Sequence, residues 1–276
     1  MNAIRLWLSW DSFNRGAKRF SDNFEAALKI ADKHGLAVMP VLFNRWHDSV
    51  LDYGGMYIDH FLHGVSWVQK SDQFLPYLEA VVGGHSSDRR IFAWDLCNEP
   101  FSYSCPTEEI PEIVKAEYAW LEGIYGICKK LNATAPITVG IHPGHGLGGI
   151  KQIEPISDIL SIHPYWTENE QTHHEKAIYE RSLDVYTGFA AEAKKLLLAT
   201  ETCWGALDDR RRVEIIRYTL GELKKRNIGW LVYLLHHSLI ADAHRPEFGY
   251  YGPPGNLAFI EADGSLRPGH EIFNEF

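Results

Sequence analysis

The chain is 276 residues long, 45% hydrophobic and 23% charged, ordinary values for a globular protein with one large core. Its net charge of −9 argues against a nucleic-acid or anionic-membrane partner, since both need a basic patch. No run of about 18 apolar residues occurs, so no membrane-spanning helix is expected.

The opening residues, MNAIRLWLSW, place Arg5 inside an apolar run and carry no charged leader. No secretion signal is assigned to them, and a secreted and a cytoplasmic setting both stay open. Residues 3–9 begin a series of short, nearly continuous apolar runs, the form taken by strands buried on both faces. The others lie at 36–43, 91–98, 137–142, 159–163, 196–201 and 229–235. In SDNFEAALKIADKHG, Ser21 or Asp22 is a candidate helix N-cap. Phe24, Ala27, Leu28 and Ala31 make one apolar face, and His34 and Gly35 close the end. A short helix is predicted over 74–82 and a long one over 110–131, with Pro111 in its first turn. Two more cover 174–195 and 208–226, and their basic ends suit the negative pole of a helix. The glycine-rich IHPGHGLGG after the run at 137–142 reads as a rim loop, with His142 able to line a site. DDRRR at 208–212 reads as a solvated helix start. No repeat, linker or low-complexity tract divides the chain, so 1–276 reads as a single domain. The alternation of runs and amphipathic stretches implies βα units around a parallel sheet.

Two Glu residues close apolar runs: Glu99 in IFAWDLCNEPF and Glu201 in KLLLATETCWG. Charged residues avoid the ends of buried strands unless paired. In a parallel α/β barrel, those ends are where active sites form. The plain alternative is a structural carboxylate in a buried salt bridge, which is less economical for two Glu on different strands. A pair of carboxyl groups is what glycosidic cleavage requires. One protonates the leaving oxygen and the other attacks the anomeric centre, with retention when they lie about 5–5.5 Å apart. Aromatic residues make up 13% of the chain and include nine Trp, which serve a sugar site or a well-filled core equally well.

Cys97, Cys105, Cys128 and Cys203 form no CxxC pair and read as buried free thiols. The chain has 14 His, none with a carboxylate or thiol partner at a recognised ligand spacing, so neither metal nor cofactor is expected.

Taken together, these residues resemble the clan A glycoside hydrolases, most closely family 5, the cellulase and endo-β-mannanase type. The resemblance runs from IRLWLSW to DGSLRPG. It implies a TIM-type (β/α)8 barrel acting on carbohydrate by double displacement, with Glu99 as acid/base and Glu201 as nucleophile. Asn98 matches the residue that binds the sugar 2-hydroxyl, and Arg5 the second-strand arginine that steadies the nucleophile. In SIHPYW, His163 and Tyr165 match a sixth-strand pair, with Tyr165 expected to bond Glu201. Trp204, beside Glu201, joins the substrate-binding set. FNRWHDSVLDYGGMY resembles the third-strand stretch of endo-β-mannanases through Asn44, Trp46, Tyr53, Gly54 and Gly55. Trp46 is then a sugar platform, or else a packed loop residue. His47 is the candidate for that region's histidine, out of register. Tyr233 stands nearest the usual strand-eight Trp, and His236 or His237 can face the sugar.

The family's first strand has no counterpart before Met1, so the reading is a barrel with seven recognisable strands. The substrate expected is β-mannan or β-glucan, with the mannanase-like stretch favouring mannan. An exo-acting β-glycosidase on short oligosaccharides, a non-catalytic carbohydrate-binding barrel and a metal-dependent barrel hydrolase are the competing readings.

Overall fold

The structure is a computed structural model that describes residues 1–45, 56, 61, 71–101, 110–166, 175–206, 208–235, 258–261 and 263–276. The chain divides into two compact units. One holds residues 2–142 and 151–160, the other Met1, 143–150 and 161–276.

In the first unit, strands β1 (Ala3–Trp7), β2 (Ala37–Asn44), β3 (Trp94–Asn98) and β4 (Ile137–Gly140) form one parallel sheet in that order. The register sets Arg5 opposite Met39, Val41 opposite Asp95 and Asn44 opposite Asn98. Every residue of β2 from Val38 to Phe43 is buried, as a strand covered on both faces should be.

Helices α1 (Trp10–Arg15), α2 (Ala17–Lys33), α3 (Leu75–Val81) and α4 (Ile110–Lys130) belong to the same unit. α2 buries Phe24, Leu28 and Ala31, three of the four residues of the face read from the sequence. The Phe43 ring packs edge-on against Phe74 at 5.1 Å, Tyr77 at 5.6 Å and Trp120 at 5.1 Å. Each large apolar side chain buried in this way contributes about 1.5–3 kcal/mol.

The start of α2 differs from the expectation. The helix begins at Ala17, so Ser21 and Asp22 lie inside it rather than capping it. Gly16 separates α2 from α1, whose own cap is Ser9, accepting the Ser12 N–H at 3.2 Å. Asp22 instead pairs with Lys18 one turn back, at 2.7 Å. The other end is as expected, with Gly35 at φ +68° just past the helix.

The second sheet runs β5 (Leu160–Ile162), β6 (Leu197–Ala199) and β7 (Gly229–Trp230). Gly229 pairs with Leu198, and a Cβ on it would meet Leu198 Cδ2 at 3.0 Å, so a larger residue there would make that side chain shift. Among the described residues the strands form two sheets, not the single closed ring of the eight-stranded plan. Strands of three, three and two residues in the second sheet offer little ladder for closure. The parallel α/β content is as read from the sequence.

Two further corrections concern the helices. Residues of the glycine-rich stretch after β4, read as a loop, wind into α5 (Gly146–Ile153), with Ile150 and Ile153 fully buried. Glycine's low helix propensity hides such a helix in a sequence, and buried isoleucines override it. α6 (Lys176–Ala193) and α7 (Asp209–Lys225) lie where predicted, and Asp208 caps α7 by accepting the Arg211 N–H at 2.8 Å. Arg212, however, is completely buried and donates to the backbone oxygens of Ala258 at 2.9 Å and Tyr233 at 3.3 Å. That part of DDRRR is interior, because a guanidinium carries enough donors to satisfy two chain segments at once. No helix among the described residues is long and apolar enough to cross a membrane.

Candidate active site

In the first unit, polar side chains gather on β1, β2 and β3. Arg5 lies in β1, and its Nη2 meets Asp95 Oδ2 at 2.7 Å and Asn98 Oδ1 at 2.8 Å, with its Nε at 3.1 Å from the same Asp95 oxygen. Arg5 is thus an interior side chain, not a surface one. The other oxygen of Asp95 accepts the backbone N–H groups of Cys97 and Gly140, both at 3.2 Å. One carboxylate thereby ties β1, β3 and β4 together.

Sequence reasoning missed Asp95. Its signal was a charge in the middle of an apolar run, FAWDLCN, where a carboxylate survives only with a partner. Asp95→Asn would remove the carboxylate charge that faces the buried Arg5 guanidinium at 2.7 Å, a loss of about 3–5 kcal/mol. The expected thermal midpoint falls by roughly 6–20 °C, measured by calorimetry. A fall below about 2 °C would show the pair to be dispensable.

The same contacts fix which way the Asn98 amide points. Arg5 can only donate, so Asn98 turns its oxygen to Arg5, and its Nδ2 donates to Asn44 Oδ1 at 3.0 Å. The Nδ2 of Asn98 carries a second N–H beside the one given to Asn44.

Glu99 follows directly on β3 and is buried, 9% exposed. Its backbone N–H donates to Gly140 O at 2.9 Å, and its φ is +47°. Left-handed backbone costs an L-residue roughly 1–2 kcal/mol and collects at functional positions. Phe101, two residues on, is also left-handed, at φ +62°. His142 lies two residues past β4 and is exposed.

In the second unit, polar groups follow β5 and β6. Glu201, 6% exposed, comes two residues after the end of β6. The Tyr165 hydroxyl donates to Glu201 Oε2 at 2.8 Å, the contact expected from the sequence. His163 places Nδ1 3.5 Å from the same oxygen and Nε2 3.1 Å from Thr200 Oγ1, and Thr200 is also bonded to Ser161. The histidine ring is therefore tied to Thr200 through Nε2, with Nδ1 facing the Glu201 carboxylate. Trp204 stacks edge-on against Tyr165, with centroids 4.8 Å apart at 81°. Tyr233 is buried, and its N–H donates to Thr202 O at 3.0 Å. Thr202 in turn donates to Pro164 O at 2.8 Å, bracing the backbone on which Tyr165 stands. Burial pushes the neighbouring Cys203 thiol up to about 12, so it stays protonated and does not compete as a nucleophile. Cys97, Cys128 and Cys203 are buried thiols outside any disulfide, as read. Trp46, His47, Tyr53, Gly54, Gly55, Cys105, His236 and His237 lie outside the described residues.

Glu25, His85 and Asp88 bring ligand atoms within 4.8 Å of one another, a grouping that could hold a cation. Arg90 already fills that role. Its Nη2 lies 2.8 Å from Glu25 and 2.6 Å from Asp88. Those hydrogen bonds hold the Glu25 carboxyl down at about 2.

No family model matches the chain. Among curated relatives, mannan endo-1,4-β-mannosidase A of Hypocrea jecorina is 27% identical over 189 residues, 66% of this chain and 38% of that protein. The Podospora anserina enzyme of the same name is 30% identical over 152 residues, 52% of this chain and 37% of that one. The chain thus spans less than two fifths of the length of these relatives. An exo-β-1,4-mannosidase from Opitutaceae bacterium strain TAV5 shares the fold, with a TM-score of 0.74 over 100% of this chain and 52% of that one, at 15% identity. An endo-β-1,4-glucanase from Xanthomonas axonopodis pv. citri does so with a TM-score of 0.62 over 100% of this chain and 85% of that one, at 16% identity.

Proposed function

We propose, for a chain that is family 5-like within clan A of the glycoside hydrolases, that it is a retaining hydrolase of β-linked mannan or glucan. The observation that carries the reading is the Tyr165–Glu201 contact, a buried strand-end carboxylate with one oxygen held by a phenol at 2.8 Å. Curated relatives named as mannan endo-1,4-β-mannosidases favour mannan as the polymer. Under this proposal 1–276 acts as one catalytic domain, and β1 fills the place of the family's second strand.

In the first step, the Glu201 carboxylate attacks the anomeric carbon while Glu99 gives its proton to the departing glycosidic oxygen. The carbon–oxygen bond breaks, and a glycosyl ester forms on Glu201. In the second step, Glu99, now a carboxylate, takes a proton from water. The hydroxide so formed attacks the anomeric carbon, and Glu201 leaves. Asn98 donates to the hydroxyl next to the anomeric carbon, and Arg5 holds that amide in its donating orientation. Tyr165 and His163 keep Glu201 in one rotamer. Trp204, Tyr233, His142, Trp46 and His236 make up the sugar-contacting set.

Tyr165→Phe removes one charge-assisted hydrogen bond, worth about 1.5–3 kcal/mol. The expected fall in kcat is roughly 10- to 150-fold, with the fold intact by circular dichroism. An unchanged kcat would count against the contact.

The function itself is tested by offering purified protein β-mannan, β-glucan and aryl β-glycosides. Reducing ends from polymer are expected, and proton NMR of the first-formed product should show the β-anomer. Turnover of aryl glycosides alone would point to exo action. Oligosaccharide binding without turnover would reject the enzymatic reading.

A further inference from the structure

We infer that Arg45 and Glu117, a buried ion pair remote in sequence, position the peptide that carries Glu99. The inference rests on the acid/base role proposed for Glu99.

Arg45 follows the last residue of β2, and Glu117 lies on α4, the first helix after Glu99 among the described residues. Both side chains are fully buried, with Arg45 Nε 2.6 Å from Glu117 Oε1. Arg45 Nη1 donates to Met56 O at 2.6 Å, and its guanidinium sits 5.4 Å from the centre of the Phe61 ring. Met56 N–H returns to Asn44 O at 2.7 Å. The side chain of Arg45 therefore anchors the backbone at the end of β2 from two directions.

That backbone acts on Glu99. The Arg45 N–H donates to Asn98 O at 3.0 Å, and the Glu99 N–H donates to Gly140 O at 2.9 Å. Asn98 O and Glu99 N belong to the same peptide group. Its oxygen is bonded at the end of β2 and its nitrogen at the end of β4, so rotating the peptide plane would break both bonds. The left-handed φ of +47° at Glu99 depends on that plane. Asn44, on the same anchored segment, also holds the Asn98 amide.

A guanidinium–carboxylate pair is expensive to bury, and an apolar pair of similar volume often serves stability as well or better. Packing alone is thus a poor account of it. A fixed, directional anchor is what the pair adds, because the guanidinium bonds Glu117 and Met56 in set directions.

The test uses the double variant R45M/E117L, which fills the space with apolar groups. Two aryl glycosides of the same glycone are compared, one with a phenyl and one with a 2,4-dinitrophenyl leaving group. The phenoxide needs a proton from Glu99 as it departs, and the dinitrophenoxide does not. A misplaced acid therefore slows the first substrate selectively. The expected result is a fall in kcat/KM of at least about 30-fold on the phenyl glycoside and less than about threefold on the dinitrophenyl one. Equal losses on both substrates, or none, would overturn the inference and leave the hydrolase reading intact. A wild-type protein that cleaves neither these glycosides nor β-mannan or β-glucan removes the acid/base reading itself. Should the double variant fail to fold by circular dichroism, R45K, which keeps the cation but loses the fork, carries the same comparison.

Discussion

Glu201→Gln is expected to lower the rate of glycoside hydrolysis by about 10⁴-fold or more, equivalent to a barrier raised by about 5.4 kcal/mol. The amide is nearly isosteric and keeps an oxygen for Tyr165, so the fold should persist. What it lacks is charge. A neutral amide neither attacks the anomeric carbon nor offsets the positive charge that builds there as the leaving group departs. Both steps of the double displacement pass through such a state. The loss should therefore be the same for good and poor leaving groups, because the missing group bonds to the sugar and not to the aglycone. Steady-state kinetics on the two aryl glycosides checks this, with calorimetry as the control for folding. A loss below about tenfold would remove Glu201 from the chemistry.

Glu99→Ala should show the opposite pattern. General acid catalysis contributes typically 10²–10⁴-fold, and it is forfeited only where the leaving oxygen needs a proton. Hydrolysis of the phenyl glycoside is expected to fall by about that factor. With the dinitrophenyl glycoside the first step persists, and the second slows because no base activates water. The glycosyl ester then accumulates on Glu201, seen as a burst of dinitrophenol followed by slow turnover. Azide needs no deprotonation. Added to this variant, it should attack the ester, release Glu201 and give the β-glycosyl azide. Azide without effect on the rate, together with equal losses on both substrates, would show that Glu99 is not the acid/base. The alanine at 99 would also relieve none of the backbone constraint, since the peptide is pinned from both sides and φ stays in the left-handed region.

Much of this was legible in the chain because burial and charge conflict visibly. Glu99 and Glu201 stand out as carboxylates closing apolar runs, and the Tyr165 partner of Glu201 came with the motif resemblance. The strands were legible because both faces of a parallel sheet are apolar, as in β2. Their ends were not. The runs at 196–201 and 229–235 reduce to Leu197–Ala199 and Gly229–Trp230, because hydrophobicity continues past the last ladder bond. α1, six residues long, is too short to show a period. α5 hides behind its glycines.

The supporting charges were harder to see. Arg45 and Glu117 are 72 residues apart, and a Glu on an amphipathic helix resembles any solvated one until its partner is known. Arg212 sits in a run of like charges that reads as surface, and only the two backbone oxygens it serves explain its burial. Asp95 was visible as an intramural charge, but nothing local to it names Arg5 as its partner.

The proposed hydrolysis depends on a covalent bond between Glu201 and the sugar. A 2-deoxy-2-fluoro-β-glycosyl fluoride tests it directly. The 2-fluorine destabilises both transition states, while the fluoride leaving group lets the first step proceed. The glycosyl ester then accumulates. Mass spectrometry of the intact protein is expected to show one added fluoroglycosyl group, and peptide mapping should place it on Glu201. An adduct on another residue, or no adduct from an active protein whose first-formed product is the α-anomer, would show that Glu201 is not the nucleophile.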